Sequence, residues 1–221
     1  MKNRKFPEGL VIHVGGHKNK TWTDQGALAS IVNRYPKAKT FIDIGCGPGA
    51  QVKVAKSLGL RAVGVDGDPK MAKLGHVELI DFSKTKVEKS ELRFLPKREY
   101  FDIGWSTEFL EHIDAEYIEN FMPLFALCRV VVITHATPGQ GGYHHVNEQL
   151  FEYWEEIFDR HGLVHSEELT DLIRSNSTMN KKKLNHFKGF DKDGVPQVEK
   201  RLSSFMIKTG RVFVNTKLKE L

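Results

Sequence analysis

The sequence predicts an α/β fold in which a doubly wound, mostly parallel sheet carries helices on both faces. Three observations predict it. The stretch at 41–50, FIDIGCGPGA, runs from a short apolar strand into three glycines at alternate positions. Two later apolar segments end in the acidic residues Asp66 and Asp81. Segments with helical spacing of apolar residues separate these strands, which is the alternation that a parallel sheet requires.

The first strand and the loop after it predict a nucleotide site. The segment 40–44 has the β-branched and aromatic character of a buried strand. Gly45, Gly47 and Gly49 then allow a sharp turn and a close approach of the backbone to a ligand. A helix over 50–58 follows, so its first N–H groups point at the same place.

Two acidic residues refine this expectation. A second strand over 61–65 ends at Asp66, whose carboxylate can accept hydrogen bonds from both ribose hydroxyls. Asp43 lies inside the first apolar strand, where a carboxylate is costly unless it meets a cation or several donors.

Two classes of cofactor fit the glycines. They match GxGxG, but Gly45, Gly47 and Ala50 also match GxGxxA, the dinucleotide fingerprint, with Asp66 at about the spacing that fingerprint expects. Asp43 favours a cofactor with a methionine moiety, because its α-ammonium supplies a cation that a dinucleotide does not offer at this position.

These motifs resemble those of the class I S-adenosylmethionine-dependent methyltransferases. FIDIGCGPGA resembles motif I, and VGVDGDP at 63–69 resembles the acidic ribose-binding loop of that family. HVELIDF at 76–82 looks like a third strand ending in Asp81. FDIGWST at 101–107, followed by EFLEHI, resembles the fourth strand and the E-x-L-E-H run of small-molecule methyltransferases, and 129–135 looks like the fifth strand. The resemblance covers about 39–162.

The resemblance implies a Rossmann-like sheet of seven strands whose last strand, at 211–217, is antiparallel. It also implies that S-adenosylmethionine is the cofactor and S-adenosylhomocysteine the product. Asp81 would face the adenine amino group and Phe82 would line the ring. The cofactor-binding residues are expected to be Asp43, Gly45, Cys46, Gly47, Gly49, Asp66, Gly67, Asp81, Phe82, Ser106 and Thr107.

The chain is interpreted as an N-terminal helical cap segment at 1–38 and a methyltransferase domain at 39–221. An amphipathic helix capped by Thr23 is expected over 21–35. The segment from 181 to 221 holds eleven Lys or Arg against four Asp or Glu, whereas the whole chain has a net charge of +5. We therefore expect a basic, flexible flap at about 175–205.

Histidines are the expected catalytic residues. The segment 136–147, ATPGQGGYHHVN, predicts a loop at the carboxyl edge of the sheet, followed by a helix from Asn147 to residue 160. His144 and His145 would then lie near the methyl group and act as base or bind the acceptor. His112, in the LEH run, is a further candidate, and His135 completes a possible cluster.

A divalent metal is an alternative use of these histidines together with Glu108 or Glu111. The sequence shows no tight ligand spacing, so no residue is assigned to a metal. The two cysteines, Cys46 and Cys128, give no support for a disulfide framework and are expected to be buried thiols.

The expected activity is methyl transfer to a small-molecule or glycan acceptor, at a hydroxyl oxygen. The position after the fourth strand reads Ser106, Thr107, Glu108, Phe109, so the Pro-Pro-aromatic run of adenine methyltransferases is absent. Alternatives are an RNA ribose or cap methyltransferase that uses the basic C-terminal region, and a non-catalytic cofactor-binding scaffold. No signal peptide or membrane span is evident, so a cytoplasmic protein is expected.

Overall fold

The computed structural model describes residues 22–142, 144–179, 183–190, 196–202 and 205–218. Strands and helices alternate through most of the chain. The strands are β1 (Thr40–Ile44), β2 (Arg61–Asp66), β3 (Val77–Leu79), β4 (Phe101–Ser106), β5 (Cys128–Ile133), β6 (Leu163–His165), β7 (Lys183–Phe190), β8 (Pro196–Leu202) and β9 (Arg211–Asn215). The helices are α1 (Gln25–Arg34), α2 (Ala50–Ser57), α3 (Pro69–Ala72), α4 (Ile118–Ala126), α5 (Phe151–Arg160), α6 (Glu167–Asn176) and α7 (Phe205–Thr209).

Seven strands form one sheet in the order β3-β2-β1-β4-β5-β9-β6. The pairs among β1 to β5 are parallel, whereas β9 runs antiparallel to both β5 and β6. The chain moves outward from β1 to β3 and then returns to place β4 on the other side of β1. This reversal opens a crevice at the carboxyl ends of β1 and β4, where ligands bind in doubly wound sheets. The predicted fold and its antiparallel last strand are confirmed.

Both faces of the sheet are covered by helices. Alternate residues of β1 point to opposite sides, so Phe41 joins one core cluster while Ile42 and Ile44 join the other. The first cluster includes Leu28 of α1 and Ile173 of α6. The second is rich in aromatic side chains and includes Phe121, Phe125, Trp154 and Phe158.

The first helix is part of this core. It begins at Gln25, and its N-cap is Asp24 rather than the predicted Thr23. The Asp24 carboxylate accepts hydrogen bonds from the amides of Ala27 and Thr178, both at 2.9 Å, and from the Ser177 hydroxyl. A carboxylate reaches more donors than a hydroxyl, so Asp24 both caps α1 and joins it to the end of α6. The boundary at residue 38 stays an interpretation.

Several predicted boundaries were wrong. β3 ends at Leu79, so Asp81 lies in the turn after it. α5 begins at Phe151 rather than at Asn147, because Asn147 is buried and its amide donates to the Glu111 carbonyl instead of starting a helix. β6 was not predicted, since three residues directly after a helix give too short a pattern to read.

The C-terminal region contains a second sheet. β7 and β8 pair in an antiparallel manner, from the pair Lys183–Leu202 to the pair Phe190–Pro196, within the range where the sequence predicts a basic, flexible flap. α6 also continues to Asn176, into the range predicted for that flap. Lys181 and Lys182 lie outside the described residues. Within the described residues, no helix is long and apolar enough to cross a membrane.

Candidate functional site

The loop after β1 has a backbone that only glycines adopt readily. Gly45, Gly47 and Gly49 have φ angles of 74°, 51° and 74°. At Gly45 a Cβ would also lie 2.3 Å from the Phe109 ring. The amides of Gly45 and Cys46 donate to the Val65 carbonyl at 2.9 and 3.0 Å, so the loop is joined to β2. These glycines lie where the sequence predicted a close approach to a ligand.

Asp66 holds the loop and the end of β2 together. One carboxylate oxygen accepts the Gly47 amide at 2.8 Å, and the other accepts the Asp68 amide at 2.8 Å. Gly67 forms the turn between these contacts. The carboxylate predicted to contact the ribose therefore has a fixed orientation beside the glycine loop.

Asp43 is a buried carboxylate in β1, with 3% of its surface exposed. No hydrogen bond or ion pair reaches this carboxylate from the described part of the chain, and burial, followed by the charge of Asp66, raises its pKa well above the usual range. A carboxylate in such surroundings is stabilised by a cation. The contact of Asp43 with the α-ammonium of a methionine moiety stays a prediction.

The residues predicted to contact the adenine lie at the end of β3. Asp81 accepts the Ser83 hydroxyl at 2.6 Å and pairs with the Lys84 ammonium at 2.8 Å. Phe82 is buried and packs edge-on against Phe109, with 5.7 Å between ring centroids. Phe82 is therefore part of the core beside the glycine loop, and the adenine contacts of both residues stay predictions.

Among the remaining predicted cofactor residues, the side chains of Cys46 and Ser106 contact neighbouring strands of the sheet. The Cys46 side chain faces β2, where a Cβ on Gly64 would lie 2.5 Å from its sulfur, and burial raises the pKa of this thiol. The Ser106 hydroxyl donates to the Ile44 carbonyl at 2.8 Å and joins β4 to β1. Thr107 is half-buried directly after β4. These residues can offer backbone groups to a ligand.

Residues 42–130 match the family model for a methyltransferase domain. In this segment the chain is similar to the class I S-adenosylmethionine-dependent methyltransferases, which agrees with the resemblance of its motifs. The matched segment contains the glycine loop, Asp43 and Asp66. S-adenosylmethionine is the cofactor of this family.

Solved structures of methyltransferases are similar to this chain. TehB from Haemophilus influenzae aligns with a TM-score of 0.52 at 11% identity, over 86% of this chain and 62% of TehB, which agrees with the fold. A TehB-like methyltransferase from Corynebacterium glutamicum has a TM-score of 0.49 at 16% identity, over 86% of this chain and 88% of its own. A Burkholderia thailandensis 1,6-didemethyltoxoflavin-N1-methyltransferase has a TM-score of 0.48 at 16% identity, covering 86% and 76%. No curated protein matches the sequence.

Two glutamates follow β4 of this chain; Glu108 is half-buried and Glu111 is buried. Glu108 has a positive φ of 53°, and its carboxylate accepts the Thr134 hydroxyl at 2.8 Å. Burial raises the pKa of Glu108 to about 7, against the opposing effect of that hydrogen bond. Glu111 is fully buried, and neither of its carboxylate oxygens has a hydrogen-bond partner among the described residues. Burial, followed by the charge of Glu108, raises its pKa well above the usual range.

The histidine prediction separates into two outcomes. The His112 and His145 rings meet edge to face with centroids 5.0 Å apart. His144 contributes its carbonyl oxygen, which lies 3.1 Å from Nδ1 of His112, while its own Nδ1 is buried without a partner among the described residues. His144 also has a positive φ of 57°. Its side chain therefore does not follow the alternating directions that side chains take along an extended segment. The structure therefore joins His112 with His145 and not with the His144 ring.

Glu148 organises the loop that carries His145. Its carboxylate lies 3.1 Å from Nδ1 of His145 and accepts the amides of Gly139 and Gly141 at 2.8 and 2.7 Å. Burial alone would raise the pKa of Glu148, but the hydrogen bonds from His145 and these amides lower it. Glu148 was not predicted from the sequence, because a carboxylate three residues after a histidine outside a helix gives no periodic signal.

Glu111, His112 and His145 form a compact cluster. Each offers one potential ligand atom, and these atoms all lie within 4.8 Å of one another. His135, expected to complete a cluster, is buried after β5 and is not in this group. Burial lowers the pKa of His135. The cluster lies after the carboxyl ends of β4 and β5.

Proposed function

We propose that this methyltransferase transfers a methyl group from S-adenosylmethionine to a hydroxyl oxygen of a small-molecule or glycan acceptor. The observation that carries the proposal is the group of His112, His145 and Glu111 at the carboxyl edge of β4 and β5. An oxygen acceptor must lose a proton during methylation, and imidazole and carboxylate groups are suited to assist that loss. This edge is also the position of ligands in doubly wound folds.

The cofactor would be held by Asp43, the glycine loop 45–49 and Asp66, which form the cofactor half of the crevice. S-adenosylmethionine supplies an electrophilic methyl group on a positively charged sulfur. Asp43 would neutralise its α-ammonium, because this carboxylate is buried with no cation among the described residues. Asp66 would accept the ribose hydroxyls while the backbone of Gly47 keeps its orientation. Asp81 and Phe82 would border the adenine.

Glu111, His112 and His145 form the acceptor half of the crevice. This half would exclude water and take part in removing the hydroxyl proton. In the transfer a carbon–oxygen bond forms as the carbon–sulfur bond breaks, the sulfonium becomes a neutral thioether, and the acceptor oxygen gives up its proton. Positioning of the oxygen about 3 Å from the methyl carbon supplies much of the rate increase. Nδ1 of His145 is already oriented by Glu148, so the ring has a defined direction at this edge.

A methyl-transfer assay tests the proposal. The protein is incubated with S-adenosylmethionine that carries a radiolabelled methyl group, and with separated small-molecule, glycan and RNA fractions. We expect label in a small-molecule or glycan fraction, as an ether that resists mild base. The matched control is His161→Ala, which changes a half-buried histidine of α5's C-cap that lies outside the crevice. Label found only at nitrogen or sulfur would contradict the hydroxyl assignment.

The salt dependence of acceptor binding separates this proposal from the RNA alternative. A neutral acceptor gains nothing from the three lysines at 181–183, so replacing them with glutamine should leave its affinity unchanged. An RNA acceptor would bind with a steep loss of affinity as salt is raised, since phosphate contacts release counterions. A steep salt dependence that disappears in the lysine variant would therefore contradict a neutral small-molecule acceptor and indicate RNA.

A further inference from the structure

We propose that Glu111, His112 and His145 bind one divalent transition-metal ion at the acceptor edge of the sheet. One potential ligand atom from each residue lies within 4.8 Å of the other two, a spacing that a single ion can bridge. No metal ligand could be assigned from the sequence, because these residues come from two segments with no tight spacing between them. The structure supplies the proximity that the spacing lacks.

Glu111 is the observation that points to a ligand. The residue is fully buried, and both of its carboxylate oxygens lack a hydrogen-bond partner within the described part of the chain. Buried carboxylates in proteins are normally paired or coordinate a metal. The hydroxyl of Thr134 satisfies Glu108 instead, so it does not relieve Glu111.

The backbone fixes the relative position of the two segments. The Glu111 carbonyl accepts the amides of Val146 and Asn147 at 2.9 and 3.1 Å. These bonds hold the loop with His145 against the turn with Glu111 and His112. The cluster is therefore built into the fold, and it does not depend on long side chains that meet by chance at the surface.

The histidines are oriented as metal ligands usually are. Nδ1 of His112 faces the His144 carbonyl at 3.1 Å, and Nδ1 of His145 faces the Glu148 carboxylate at 3.1 Å. A carbonyl and a carboxylate accept hydrogen bonds, so each Nδ1 carries a hydrogen, and metal binding would use the lone pair of Nε2. Metal-binding histidines commonly donate their other N–H to such groups.

Gly142 keeps the His145 ring accessible. A Cβ at this position would lie 2.3 Å from Nε2 of His145, so a larger residue would cover the nitrogen that carries the lone pair. The backbone of Gly142 has no positive φ, unlike that of Gly141. Alanine is therefore compatible with the backbone and acts mainly on His145.

The ligand set selects the kind of ion. Two imidazoles and one carboxylate favour Mn²⁺, Fe²⁺, Co²⁺ or Zn²⁺ over Ca²⁺ and Mg²⁺, which prefer oxygen ligands throughout. Three protein ligands leave positions open for an oxygen of the acceptor. An acceptor hydroxyl bound there would lose its proton to solvent at a lower pH. This last role rests on the proposed function, whereas metal binding does not.

Titration with Mn²⁺ tests the inference. The electron paramagnetic resonance signal of free Mn²⁺ should disappear up to one equivalent per chain, and Zn²⁺ should restore it by competition. Glu111→Gln and His145→Ala should weaken Mn²⁺ binding by more than about a hundredfold. Gly142→Ala and Glu148→Gln should weaken it by about ten- to a hundredfold, the range seen for groups that orient metal ligands.

The same samples are titrated with S-adenosylhomocysteine, and His161→Ala serves as the matched histidine control. The inference is supported if the variants bind S-adenosylhomocysteine as the wild type does and lose Mn²⁺, while the control keeps both. It is overturned if the wild type binds no stoichiometric Mn²⁺, or if Gly142→Ala and Glu148→Gln both bind it like the wild type. A third outcome separates the two proposals. If the variants lose Mn²⁺ while the wild type binds it but transfers no methyl group, the proposed function is contradicted and the metal site is supported.

Discussion

The two halves of the crevice are built in different ways. The cofactor half consists of one loop and two strand ends, with Gly47 and Asp66 only 19 residues apart and joined through a backbone amide. The acceptor half brings His112 next to His144 and His145, and the contact between His112 and His144 spans 32 residues. The first half uses backbone geometry, and the second uses side chains gathered from separate segments. Binding of a shared cofactor and choice of an acceptor can therefore vary independently.

Both halves nevertheless bury a carboxylate for which the described chain provides no cation. Asp43 lies in a strand of the cofactor half, and Glu111 lies in a turn of the acceptor half. Burial raises the pKa of each, and in each case a neighbouring carboxylate adds to the rise. The comparison predicts that each half requires its own cation, which is an ammonium group in one and a metal ion in the other.

Replacing His145 should give the largest effect and should be confined to the acceptor half. His145→Ala is expected to lower turnover by about a hundredfold or more, because it removes a group that assists loss of the acceptor proton, either as a base or as a metal ligand. His144→Ala should cost much less, because His144 contributes its carbonyl and not its ring to the cluster. Single-turnover methyl transfer and calorimetry with S-adenosylhomocysteine measure the two halves separately. Equal turnover in the two variants would assign both residues to structure.

Replacing Asp43 should act on the cofactor half alone. Asp43→Asn removes one partner of a buried charge pair and should weaken S-adenosylhomocysteine by about 2–5 kcal/mol. Binding of 5′-methylthioadenosine, which lacks the amino-acid portion, should hardly change. Asp159→Asn, at an exposed position of α5, is the control. If both ligands lose the same affinity, Asp43 supports the loop and does not meet the ammonium.

Replacing Asp66 should give a smaller effect than replacing Asp43, and it should weaken the binding of both ligands instead of one. Asp66→Ala is expected to weaken S-adenosylhomocysteine by about 1.5–3 kcal/mol, through loss of charge-assisted hydrogen bonds to the ribose. It should weaken 5′-methylthioadenosine by a similar amount, because both ligands contain the ribose. Calorimetry that shows unchanged affinity for either ligand would remove Asp66 from the ribose site.

The pH dependence of stability should show the smallest difference. The folded-state pKa of Asp43 is raised above its unfolded value, first by burial and then by Asp66. The contribution of Asp43 to the stability of the cofactor-free protein is thus fully present below the unfolded pKa and is lost as pH rises through the folded pKa. In Asp43→Asn the melting temperature should fall less over this range, as thermal unfolding in a chelating buffer would record. Parallel wild-type and variant curves would contradict the raised pKa.

Local patterns were sufficient to predict much of the cofactor half. The three glycines need positive φ angles that other residues adopt reluctantly, so their spacing alone indicated the turn. Asp66 followed from its place at a strand end. The caps and short elements were harder to predict, because Asp24 was selected as N-cap by contacts with Ser177 and Thr178, far along the chain.

The sequence by itself determined the order of the first strands, the glycine loop and the acidic residues beside it, because each depends on neighbours in the chain. Only the tertiary structure decided which histidines meet. His144 and His145 are equivalent in the sequence, yet the positive φ of His144 and the hydrogen bonds from the loop to Glu111 place one ring in the cluster and the other outside it. A contact between distant segments depends on the whole sheet that separates them, and no local pattern contains that information.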